Sequence, residues 1–305
     1  MHSSPKPSPK VSIGLPVYNG ENYIAEAIQL ILAQTYTDFE LIISDNASTD
    51  NTAEICAYFI AIDSRIHYFR NSENLGAGRN YDICFHKSRG EYFKWAAHDD
   101  MIRDDFLIET VTLLDNNPKA VLCGFNPEIV SANGTPKRTI LVHKTSFASE
   151  QPSVRYKTAV NNGMLWLYFF GLFRRSALVG SQLHGTFQAS DQALLAEIVL
   201  RGHFIQSDES IFRFRRHKNN YSTSTYKDRK AAGIWIDTRN KKKNCYLRLT
   251  YITMLLRGIL KSKISFTEKM LCTRVVFKKI STHRIRKELL QDFRYMLTPR
   301  KFYKD

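Results

Sequence analysis

Two adjacent carboxylates, Asp99 and Asp100, follow the apolar run Tyr92–Ala96 and precede a segment of helical spacing. Paired carboxylates at such a boundary repel each other and lose hydration, unless a cation or hydrogen-bond donors compensate. Mg²⁺ and Mn²⁺ take oxygen ligands of this kind, often one or two carboxylates completed by substrate phosphates. A solvated acidic turn is the simpler reading of the pair by itself. Asp45 ends a second apolar run and heads the polar cluster Asp45–Asp50. It suits an Asx-turn, and equally a carboxylate that accepts the N3–H of a uracil. Arg79 sits in Asn74–Asn80, a glycine-bearing stretch ahead of a helix, where a cation can meet a diphosphate. The third glycine of the dinucleotide fingerprint is missing there. Asp191 opens another helical stretch, as an N-cap or as a general base.

The elements that must position these residues alternate. Apolar runs at Val11–Val17, Phe39–Ser44, Ile66–Phe69 and Tyr92–Ala96 read as strands. Helical spacing is found in Asn22–Gln34, where Ile24, Ala27, Ile28 and Ile31 share a face, and in Thr52–Ile62, Gly78–Ser88 and Asp104–Asn116. This alternation predicts βαβ units around a mainly parallel sheet flanked by helices, a Rossmann-like α/β fold. Ligands of such sheets lie at the carboxyl ends of the strands. Tyr18–Asn19, Asp45–Asp50 and His98–Asp100 all belong to that edge. Beyond Ala120 the alternation loosens. Strands are expected at Val121–Phe125, Pro127–Val130 and Ile211–Arg216, with a turn at Asn133–Gly134 and a helix over Ser190–Leu200. The aromatic stretch Asn162–Phe173 places Trp166, Tyr168, Phe169 and Phe170 either in the core or against a sugar ring.

The chain has 305 residues, 43% of them hydrophobic, enough for one large α/β domain with an appendage. Met1–Lys10 is polar and proline-rich without an apolar core, and reads as a short disordered lead rather than a signal peptide. The five cysteines form no CxxC pair, which points away from zinc and redox motifs and fits reduced core thiols. The net charge is +15, and Thr225–Asp305 holds 22 Lys and Arg against 6 Asp and Glu, so this tail carries all the excess. Candidate helices there are Tyr246–Leu260 and Lys269–Leu297. A basic tail interleaved with aromatic and aliphatic residues suits an anionic membrane surface, or a solvated face of packed helices. No RRM, KH or zinc-finger pattern supports nucleic acid as a partner.

Five stretches, in order, resemble the inverting glycosyltransferases of family 2, whose fold is called GT-A. They are Val11–Asn19 (VSIGLPVYN), Leu41–Asp50 (LIISDNASTD), Asn74–Asn80 (NLGAGRN), Gly90–Asp100 (GEYFKWAAHDD) and Ser190–Leu195 (SDQALL). The similarity is to the branch that builds bacterial surface polysaccharides. It implies a catalytic domain over 11–224, with a nucleotide-binding half at 11–120 and an acceptor half at 121–224, followed by a basic helical region at 225–305. It implies transfer of a sugar from a nucleotide-diphosphate donor, a UDP-sugar above all, to a glycan or lipid-linked acceptor, with Mn²⁺ or Mg²⁺ as cofactor. By the same resemblance, Pro16, Val17 and Tyr18 line the base pocket and Asp45 contacts the base. Arg79 lies near ribose and diphosphate. Asp99 and Asp100 bind ribose or diphosphate and the metal, and Asp191 is the catalytic base. Arg215 and His217 belong to a segment that closes over the diphosphate. The expected location is cytoplasmic, peripheral on the inner face of the plasma membrane. Two departures stand out. Ala97 occupies the first acidic position of the family's Asp-x-Asp, so Asp99 and Asp100 compete for the direct metal ligand. Ser190, not an acidic residue, precedes Asp191.

Overall fold

The computed structural model describes residues 8–141, 147–220, 228–242 and 247–297. Strands β1 (Val11–Val17), β2 (Phe39–Asp45), β3 (Ile66–Arg70) and β4 (Tyr92–Trp95) alternate with helices α1 (Ile24–Leu32), α2 (Thr52–Ile62) and α3 (Ala77–Lys87). Every residue of β1 and β2 is buried, as strands covered on both faces must be. After β5 (Met101–Ile102) and α4 (Phe106–Asp115) come β6 (Ala120–Gly124), β7 (Glu128–Ser131) and β8 (Pro136–Thr139). Then follow α5 (Pro152–Asn161), a 3₁₀ segment Leu165–Phe170, β9 (Leu172–Arg174), α6 (Arg175–Leu178), α7 (Ser190–Ile198), β10 (His203–Gln206) and β11 (Phe212–Arg216).

The main sheet has seven strands in the order β10-β6-β9-β4-β1-β2-β3. Its parallel pairs are β1 with β2 and β4, β2 with β3, and β6 with β10. β9 runs antiparallel between β4 and β6, which makes the sheet mixed at its centre. A smaller sheet, β5-β11-β7-β8, stands beside it and brings Phe212–Arg216 against Met101–Ile102, just after the acidic pair. The turn expected at Asn133–Gly134 joins β7 to β8, with Gly134 at φ +82. This is the Rossmann-like GT-A architecture with a basic helical C-terminal extension. Gly14 on β1 lets α3 lie close, since a Cβ there would stand 2.5 Å from Cys84 Cβ. Cys56, Cys84, Cys123 and Cys272 are buried free thiols.

The extension consists of α8 (Arg229–Ile236), a 3₁₀ turn Thr238–Lys242, α9 (Leu247–Lys261), α10 (Phe266–Ile280) and α11 (His283–Leu297). The single helix expected over Lys269–Leu297 is two. Ser281 and Thr282 separate them, and their hydroxyls donate back to the carbonyls of Lys278 and Lys279. α10 also begins earlier than expected, because Ser265 caps it by accepting from the Glu268 amide at 3.3 Å. α9 is not a surface helix: Tyr251, Ile252, Leu255 and Ile259 share a buried cluster with Leu194, Leu195 and Ile198 of α7. The buried carboxylate of Asp292 on α11 accepts from the amides of Arg248 and Leu249, closing the start of α9. Of the lead expected to be disordered, residues 1–7 lie outside the described residues, whereas Lys10 pairs with Glu91 and Asp115.

Candidate active site

A cavity of about 1030 Å³ opens at the carboxyl ends of β1 and β4. Pro16, Val17 and Tyr18 line it from the end of β1, and Asp99 and Asp100 from the loop after β4. Asp191 lines it from the first turn of α7, and His217 from just beyond β11. The structure thus brings together seven of the residues singled out from the sequence. The volume is at the top of the range for a single small ligand, which leaves room for two substrates at once.

The acidic pair is built unequally. Asp99 Oδ2 accepts from His217 Nε2 at 2.9 Å and from Asn220 Nδ2 at 3.0 Å. Burial opposes its ionisation, but the His217 hydrogen bond and the neighbouring imidazoles outweigh that and hold the carboxyl below its ordinary value. Asp100 Oδ1 accepts from the Arg215 amide at 3.0 Å. Its Oδ2 is enclosed and has no hydrogen-bond partner. Burial first, and the charge of Asp99 second, push the Asp100 carboxyl well up. A buried carboxylate oxygen without a donor is costly, and either a proton or a bound cation relieves it. Among the described residues, no group of three His, Cys, Asp or Glu side chains is gathered to hold a metal alone. The donor set therefore fits Mn²⁺ or Mg²⁺ held through Asp100, with Asp99 beside it and most of the coordination left to phosphates and water.

Arg215 is not at the cavity wall. Its guanidinium is buried beneath the acidic pair, donating to Asp99 O (2.9 Å), Ala132 O (2.7 Å) and Glu26 Oε2 (2.6 Å), and packing over Tyr23. The structure gives it the part of a strut that fixes the Asp99–Asp100 backbone. Arg79 does not line the cavity either, and its Nε lies 3.7 Å from Asp237 Oδ2. Asp45 is fully buried: Oδ1 accepts from the Ser48 amide, and Oδ2 from Tyr68 Oη at 2.6 Å with Arg70 3.5 Å away. The Asx-turn is realised there, and the cavity wall at that level is made by Asn46, Asn74 and Asn80 instead. Asn80 donates to Ser44 O and accepts from Ser44 Oγ, tying α3 to the end of β2.

Asp191 Oδ1 accepts from the Gln192 amide at 2.8 Å. Its helix is entered through Ala189, at φ +63, so the tight left-handed turn aims the first turn of α7 at the cavity. Burial pushes the Asp191 carboxyl up to about 6, in the range useful for a base near neutral pH. His184 lines the same wall, stacked on Tyr81 with centroids 4.7 Å apart, and burial lowers it to about 4, so it is neutral. Gly78 permits this approach, since a Cβ there would stand 2.1 Å from Gly185 O.

Several site residues were not singled out from the sequence. Lys94 lies in β4, fully buried, donating to Phe170 O at 2.5 Å over the ring of Phe106. Burial pulls its ammonium down to about 7, against the opposing charge of Asp100. A lone lysine inside an apolar strand was the available signal. Ile234, Trp235 and Thr238 also line the cavity, from a region expected to be appendage. Of the four aromatic residues named, Trp166, Phe169 and Phe170 reach the cavity, while Tyr168 is core and bonds to Gln206.

Comparisons with known proteins agree with this fold. The chain is 40% identical over 121 residues to the uncharacterized glycosyltransferase RT0329 of Rickettsia typhi, covering 39% of this chain and 37% of that protein. It is 34% identical over 101 residues to the glycosyltransferase GlyG of Streptococcus pneumoniae, covering 33% of each. The matches thus span little more than a third of these relatives. The fold is similar to S. aureus TarS 1–349 in complex with UDP-GlcNAc, with a TM-score of 0.64 at 17% identity over 93% of this chain and 79% of that one. It is also similar to the mannosyltransferase PcManGT of Pyrobaculum calidifontis, in complex with GDP-Man and Mn²⁺, with a TM-score of 0.50 at 15% identity over 95% and 86%. Residues 12–176, more than half of the sequence, match the profile of Glycosyl transferase family 2, and the chain belongs to that family.

Proposed function

We propose that this chain transfers a sugar from a nucleotide-diphosphate donor, a UDP-sugar above all, to a hydroxyl of a glycan or lipid-linked acceptor, with inversion at the anomeric carbon. The observation that carries this is that Asp100, whose Oδ2 is enclosed without a partner, and Asp191, whose carboxyl is raised, line one cavity. Pro16, Val17 and Tyr18 at the end of β1 hold the base and ribose, with Asn46 and Asn80 offering amides nearby. Asp100 and Asp99 would hold a divalent cation, which would supply positive charge where the leaving diphosphate becomes negative. Asp191 takes the proton from the acceptor hydroxyl as that oxygen bonds to the anomeric carbon. With a single carboxylate base and no nucleophile, attack comes from the face opposite the leaving group. His217 keeps Asp99 ionised and fixed, and neutral His184 packs the wall without adding charge.

Incubation with UDP-sugars and Mn²⁺ tests this by release of UDP, which is expected to stop on chelation. The rate is expected to rise with pH through about 6 and level above it, because Asp191 must be ionised to accept the proton. UDP release with no ascending limb between pH 5 and 7 would remove Asp191 from the base role.

Membrane contact through the extension is part of the same reading. Among the described residues no helix is long and apolar enough to cross a membrane. On α10, however, Phe266 (77% exposed), Met270 (56%) and Phe277 (60%) form one stripe, with Arg274 and Lys278 beside it. Because α9 belongs to the core, deleting Thr225–Asp305 would disturb the fold itself. The sharper test is Phe266→Ser with Met270→Ser and Phe277→Ser. The triple variant is expected to leave anionic vesicles for the supernatant with its melting temperature retained. Unchanged sedimentation with vesicles refutes the membrane contact.

A further inference from the structure

A second cavity, of about 450 Å³, shares a wall with the first. Gly185, Thr186 and Phe187 line it, while their neighbours His184, Gln188 and Ala189 line the larger one. One short segment therefore separates the two. α9 forms another wall, and Arg257 and Lys261, one turn apart on that helix, both line the space. Its acidic residue, Glu197, is already neutralised: Oε1 accepts from Arg201 at 2.6 Å and Oε2 from the backbone N–H of Gln182 at 3.2 Å. Two cations thus face the cavity without an opposing free carboxylate on its lining.

Gln182 supplies an independent observation. Both polar atoms of its side-chain amide are enclosed and neither has a hydrogen-bond partner. Leaving a donor and an acceptor unmet destabilises the free protein. Gln182 lines the cavity, so its unmet donor and acceptor lie next to whatever occupies that space. A guanidinium and an ammonium at one mouth match phosphate oxygens. The volume far exceeds that of a bare ion, so the occupant has a polar body as well.

We propose that this second cavity binds a phosphate ester carrying hydroxyl groups, with Arg257 and Lys261 on the phosphate and Gln182 on the hydroxylated part. Such a group is available from a soluble ester or from a lipid headgroup. Leu260, 72% exposed beside Lys261, and Phe266 at the start of α10 would meet the lipid in the second case.

The test uses the full chain and two probes, glycerol 3-phosphate followed by calorimetry and phosphatidylglycerol–phosphatidylcholine vesicles followed by sedimentation. Arg257→Ala with Lys261→Ala removes the cations, and neither residue lines the larger cavity. Lys137→Ala with Arg138→Ala removes equal charge on the exposed strand β8. Gln182→Leu removes the unmet amide. A soluble ligand predicts that glycerol 3-phosphate binds and that the 257/261 variant weakens it at least about tenfold, with vesicle binding falling no more than in the 137/138 control. A headgroup predicts that vesicle binding falls well beyond that control. Under either source, Gln182→Leu weakens the responding probe and raises the melting temperature of the free protein. The proposal is overturned if the 257/261 variant changes neither probe more than the control does. It is also overturned if Gln182→Leu leaves the responding probe's affinity intact.

Discussion

Asp191→Asn is expected to slow sugar transfer by about 10²–10⁴-fold while donor affinity stays near that of the parent protein. The carboxylate lines the cavity from α7 and not from the end of β1, to which the proposed function gives the base, so its loss should be felt by the acceptor proton and not by the nucleotide. Asparagine keeps the side-chain oxygen that accepts from the Gln192 amide, so the first turn of α7 is preserved. Single-turnover rates and calorimetric titration with UDP separate the two effects. A large loss of UDP affinity with the rate per bound complex unchanged would assign Asp191 to donor binding instead.

Arg215→Ala should be the most damaging substitution to the scaffold. The guanidinium is buried and pairs with Glu26, while two further bonds reach the carbonyls of Asp99 and Ala132. Glu26 is partly exposed, so water recovers part of that loss, but the two carbonyls are left unmet. Removing a buried charged donor whose partners are partly hydrated costs about 1–3 kcal/mol. Denaturant unfolding is expected to show a loss of that order, together with weaker metal-dependent UDP binding as the Asp99–Asp100 backbone loosens. Full stability with only weakened UDP binding would instead put the guanidinium on the diphosphate, the role that the family resemblance implies.

Much of the first half was legible because parallel strands leave a plain signal. Covered on both faces, β1 and β2 are uninterrupted apolar runs, and the residues after them fall at the ligand edge by topology alone. The face Ile24, Ala27, Ile28 and Ile31 was equally plain and is buried as expected. The extension was harder to read. Its basic residues dominate the composition, yet Tyr251, Leu255 and Ile259 are core, because a helix needs only one apolar stripe to be buried. The Ser265 N-cap sets the true start of α10, and Ser281–Thr282 its end.

The sequence by itself determined the alternating strands and helices of the first half, the family, and the place of Asp99 and Asp100 at the strand-end edge. Residue type and position after a strand suffice for that. Only the tertiary structure decided how those carboxylates are used. Asp45 and Arg215 have the right types and positions, but their polar atoms are consumed by Tyr68, Ser48, Glu26 and two carbonyls, partners distant or unmarked in sequence. Asp99 is satisfied by His217 and Asn220, whereas Asp100 keeps one oxygen unmet. Hydrogen-bond satisfaction is a property of three-dimensional neighbours, and it separates two adjacent aspartates that the chain presents as equals.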